Sequence, residues 1–148
     1  TAKKLENLQQ KFQDSHDIAE AFAMILLNLS TEQTVLKELE TTAKKLENLQ
    51  QKFQDSHDIA EALAMILLNL STEQTVLKEL ETTAKKLEKL QQKFQDSHDI
   101  ALQYARILVN LSTKQTVLKE RMTTAKKLEK LQQKFQDSHD IAEAFARI

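Results

Sequence analysis

VLKELETTAKKLENLQQKF, residues 35–53, carries the pattern on which the fold depends. Val35, Leu39, Thr42, Leu46, Leu49 and Phe53 follow one another at spacings of 4, 3, 4, 3 and 4. That is a heptad seam with one threonine in it, and it lines a single face of a helix. The spacing predicts a long helix from near Thr31 to Phe53, about 23 residues and roughly 35 Å at the rise of an α-helix. Thr41 and Thr42 are its weak point. Threonine is a poor helix former and a good N-cap, so a break there is the alternative.

Upstream, the sequence supplies a second kind of helix. Ser30, followed three residues on by Gln33, forms a capping-box pattern that predicts a helix start. Earlier, FQDSHDIAE offers Asp14 or Ser15 as an N-cap, with Asp17 in the positive first turn. A short helix is therefore expected from Ser15 to Asn28. It is apolar nearly all round, from Ile18 through Phe22 and Met24 to Leu29, so it should be buried nearly all round.

The same letters then recur with a period of 41 residues. The copies are 1–41, 42–82, 83–123 and a partial 124–148, and the first two differ only at Phe22 against Leu63. One uninterrupted helix is excluded. At about 100° per residue, such a period leaves a remainder of roughly 140°, and the apolar stripe would jump sideways at every repeat. The expected fold is all-α: residues 1–148 form a single solenoid-like array of three-helix units. A short central helix alternates with long helices shared between neighbouring units, in a corrugated, zigzag stack.

Composition agrees. The 148 residues contain no Gly, Pro, Cys or Trp. Hairpin turns lack their usual residues, and there is no disulfide or thiol chemistry. The longest apolar run, Ala21–Leu29, is too short for a bilayer, and nothing reads as a signal peptide. The compartment stays undetermined. Residues 1–82 carry 8 Lys against 14 acidic residues, net −6, whereas residues 83–148 carry 13 Lys and Arg against 8, net +5.

The third copy departs from the second at nine positions. On the apolar face Met65 gives way to Arg106 and Leu80 to Arg121, while Glu61 becomes Leu102 and Glu81 becomes Met122; Arg147 stands where the first copy has Met24. Polarity has been exchanged between neighbouring positions. Arg106, Arg121 and Arg147 read as solvent-facing caps of the array, and Met24, Met65, Leu39 and Leu80 as contacts between units.

No position reads as a site. Ser15, His16 and Asp17 are consecutive, and consecutive helical residues point about 100° apart, so they cannot form a relay with one another. His16, His57, His98 and His139 recur only because the repeat does. None has a second His three or four residues away, so zinc is unsupported. The Lys3–Lys4, Lys44–Lys45, Lys85–Lys86 and Lys126–Lys127 pairs each lie beside a glutamate such as Glu6, the pattern of a solvated helix face with short-range ion pairs rather than a nucleic-acid stripe. Tyr104 falls in a core-like slot. No catalytic, cofactor-binding or metal-ligating residue is expected, and no nucleic-acid or membrane partner. A monomer is expected, with end-to-end or domain-swapped self-association as the alternative, because Thr1 and Ile148 fall within helices.

The predicted connectivity resembles spectrin repeats, although spectrin units are more than twice as long and usually carry a Trp. The period resembles armadillo and HEAT repeats, which usually place Gly or Pro between helices. In the near-identity of its copies and the polar changes in the last ones, the chain is most similar to designed helical tandem-repeat proteins. That resemblance implies an engineered scaffold with no active site. A natural spacer or docking segment is the alternative.

Overall fold

A computed structural model describes residues 2–32, 35–74, 76–115 and 118–147. The predicted all-α repeat architecture is what it shows. Among the described residues eight helices follow one another: α1 (Ala2–Lys11), α2 (His16–Glu32), α3 (Leu36–Lys52), α4 (His57–Glu73), α5 (Leu77–Lys93), α6 (His98–Lys114), α7 (Leu118–Lys134) and α8 (His139–Ala146). No strand occurs among the described residues.

The repeat is a pair of equal helices, which corrects the short-and-long alternation. The helices α2 to α7 have 17 residues each. The supposed capping box is the cause of the difference. Ser30 lies inside α2, and its hydroxyl turns back to donate to the Leu27 carbonyl at 2.6 Å; Ser112 does the same to Val109 at 2.8 Å. These serines satisfy themselves within the helix instead of starting a new one. Gln33 lies outside the described residues, but its equivalent Gln115 is the C-cap of α6, with φ −78 and ψ 131. The helices α3 and α5 begin after the valine of a Thr–Val pair. Val35 and Val76 are extended, at ψ 122, and provide no side-chain cap.

The heptad seam is as the spacing predicted, apart from its first residue. Leu39, Thr42, Leu46, Leu49 and Phe53 are buried, whereas Val35 is exposed. The helix runs through both threonines without the alternative break. Thr41 donates to the Lys37 carbonyl at 3.0 Å, and Thr83, the equivalent of Thr42 in the next repeat, donates to the Gln74 side chain at 2.9 Å. A threonine in the seam is tolerated because its hydroxyl is satisfied inside the protein.

Contacts divide the chain into two compact units, 1–70 and 71–148. In the first, α2 packs against α1 and α3, and most of α4 belongs to the same unit. In the second, α6 packs against α5, α7 and α8, and α7 against α8. The expected three-helix grouping and the buried central helix are both present there. Ile100, Ala101, Ala105, Ile107 and Leu108 of α6 are at most 1% exposed.

Arg106, Arg121 and Arg147 face solvent, as read from the polarity exchange, and Leu39 and Leu80 are buried. Met24 and Met65 do not follow. Both are more than 40% exposed, so the change to arginine at this position replaces one exposed side chain by another.

Candidate functional site

The DSHD segments start helices. Ser15, Ser56, Ser97 and Ser138 each accept a hydrogen bond from the backbone N–H three residues on, at 3.2 to 3.3 Å. Of the two candidate caps, the serine holds the position. Its hydroxyl is thus engaged with backbone, and the following Asp complements the helix dipole. The histidine has a different task. The His16 ring stands edge-on to Phe53 of the next repeat, centroids 5.0 Å apart, with Nδ1 3.6 Å from Glu20. Glu20 in turn accepts from the Ser56 hydroxyl at 2.8 Å. In the second unit His98 meets Phe135 at 5.9 Å, and its Nε2 lies 2.8 Å from the Ser138 hydroxyl. Ser, His and Asp form no relay; the serine and the histidine take part in contacts that join one repeat to the next.

At the last of these helix starts, donor atoms of His139, Asp140 and Glu143 all lie within 4.8 Å of one another. All three residues are exposed. Glu143 lies four residues on from His139, and the helix brings it to the same side. Exposed first-turn acids are what a helix N-terminus favours on its own account, and the cluster defines no site by itself.

Two grooves lie between helices one repeat apart. One of about 330 Å³ lies between α1 and α3, with Glu6, Gln13, Phe22, Lys45 and Leu49 in its walls. Another of about 310 Å³ lies between α5 and α7, lined at the corresponding positions by Glu88, Gln95, Tyr104, Lys127 and Leu131. Each is bridged at one end by an ion pair across the repeat: Glu6 to Lys45 at 2.8 Å and Glu88 to Lys127 at 3.0 Å. The lysine pairs therefore do use the neighbouring glutamates, but between helices that are a full repeat apart.

Where Phe22 lines the first groove, Tyr104 lines the second and adds a hydrogen bond. Its hydroxyl donates to Glu88 at 2.7 Å. A cleft of about 210 Å³ beside this pair also includes Lys85, Leu108 and Gln115. Burial pushes the Tyr104 hydroxyl far above its ordinary range, and the Glu88 carboxylate pushes it further. Burial also acts to raise Glu88, but hydrogen bonds from Tyr104 and Lys127 and the charges of Lys127 and Lys85 outweigh it and hold the carboxyl below its ordinary value. The trio is a neutral phenol, a carboxylate and an ammonium that satisfy one another. The phenol keeps its proton throughout the neutral range and is not poised for acid–base work. Sequence placed Tyr104 in the core correctly, but the partner sixteen residues earlier on another helix carries no local signal.

Fold and surfaces together define an all-α helical-repeat protein whose most specific polar contacts run between repeats. No family model and no curated protein matches the chain. No helix among the described residues is long and apolar enough to cross a membrane.

Proposed function

We propose that this chain is an artificial structural scaffold, a helical repeat array whose role is to hold its shape. The observation that carries the reading is the pattern of difference between copies. The first two are identical except at Phe22 and Leu63, and the third exchanges polarity at neighbouring positions instead of drifting. Its support is the use to which the repeated polar residues are put. Serines cap helices, histidines and glutamates contact the following repeat, and Tyr104 and Glu88 satisfy each other. Each repeat alone buries too little to be stable, and stacking supplies the rest.

Deleting residues 42–82 in frame tests the proposal. The shortened chain should remain helical and monodisperse, and should unfold at a lower urea concentration as one neighbour interface is lost. A chain that no longer folds would mean the copies are not interchangeable, as in a natural spacer whose copies have specialised.

A further inference from the structure

We propose that the two ends of the chain are complementary halves of one contact, so that a second copy docks α1 and the start of α2 onto α7 and α8 of the first. The interior shows what that contact is. Within the first unit Lys45 pairs with Glu6, Phe53 meets His16, and Ser56 donates to Glu20. Within the second, Lys127 pairs with Glu88, while Phe135 and Ser138 meet His98. The receiving side of this set recurs at the N-terminal end as Lys4, Leu8, Phe12 and Ser15. The giving side recurs at the C-terminal end as Glu129, His139, Glu143 and Phe145.

Both sides are open in this chain. Leu8 is 43% and Phe12 48% exposed, against 5% and 8% for their twins Leu49 and Phe53. The His139 side chain is 84% and that of Glu143 54% exposed. Charge favours the pairing, since the acidic half would meet the basic half of the next molecule. The lengths also match. The ten-residue α1 corresponds to the second half of α7, and Arg121 lies in the first half, outside the footprint. Because donor and receiver are different patches, the association is heterologous and does not close at a dimer.

Light scattering and sedimentation of the 148-residue chain over a wide concentration series test this, with two variants whose changes are at exposed positions. L8E/F12E blocks the receiving face, and E129K/E143K blocks the giving face. Circular dichroism should show both as helical as the parent. The parent's mass should climb from 17.0 kDa through successive multiples, and each variant alone should associate about tenfold more weakly. Mixed, the two variants should form a one-to-one dimer and nothing larger, because each retains one intact face. A parent that stays monomeric at every concentration overturns the proposal. So does a closed dimer that the mixture fails to restore, because such a dimer uses one patch twice.

Discussion

Tyr104 is the only tyrosine, and it makes the chemistry of one groove measurable. Its hydroxyl bond to Glu88 is absent from the first groove, where Phe22 stands. Tyr104→Phe should therefore convert the second groove towards the first and lower stability by about 1 kcal/mol, the worth of a typical hydrogen bond. Its pH dependence has two branches. Glu88 is held below its ordinary 4.5 in the folded chain, so its contribution is complete above 4.5 and is lost as pH falls through the lower folded value. Tyr104 is raised above its ordinary 10.0, so its contribution is complete below 10.0 and is lost as pH climbs past it, when only the unfolded phenol ionises. Urea midpoints across the pH range should show both losses in the parent and no alkaline loss from this residue in the variant. Tyrosinate absorbance offers a direct check: in the native protein it should not appear near pH 10, and it should appear on unfolding. Burial of residue 104 was legible in its place in an apolar helix; its bond to Glu88 was not, because nothing in a sequence reports which groove two helices will share.

At the scale of elements, the helices are decided by side chains that either cap or fold back. Ser138 accepts from the Ile141 N–H at 3.2 Å. Ser138→Ala should cost about 1 kcal/mol, and Ser138→Asp should recover most of it; thermal melts of the two side by side settle the point. The connection between α6 and α7 has its own polar tie. Buried Thr124 donates to the Gln115 side chain at 2.9 Å. Thr124→Val keeps the shape but leaves a buried acceptor without its donor, at about 1–3 kcal/mol. In a double-mutant cycle, adding Gln115→Leu should cost less than the two single changes together. These elements also show where reading by motif goes astray. Ser30 followed by Gln33 has the letters of a capping box, yet the serine bonds back to Leu27 within the helix. Branched residues alone do not mark the break either, because α3 runs on through Thr41 and Thr42.

For the molecule as a whole, identical letters occupy different environments. Leu46, Leu87 and Leu128 are fully buried, while their twin Leu5 is only half-buried. Leu87→Ala should cost about 2–5 kcal/mol and Leu5→Ala clearly less, although the residues around the two are nearly the same. Denaturant unfolding of both variants measures the difference, and equal losses would mean that local sequence rather than packing sets the cost.

The sequence by itself determined that the chain is helical, that it repeats every 41 residues, that one seam runs through Thr42, and that arginine at 106, 121 and 147 faces water. Propensity, period and polarity are properties of neighbouring residues, and they are written in order along the chain. Tertiary structure decided that Glu6 takes Lys45 and His16 takes Phe53, and that Leu8 stays open while Leu49 is covered. Those outcomes depend on which surfaces meet, and two copies of the same twenty residues differ in nothing except what is packed against them.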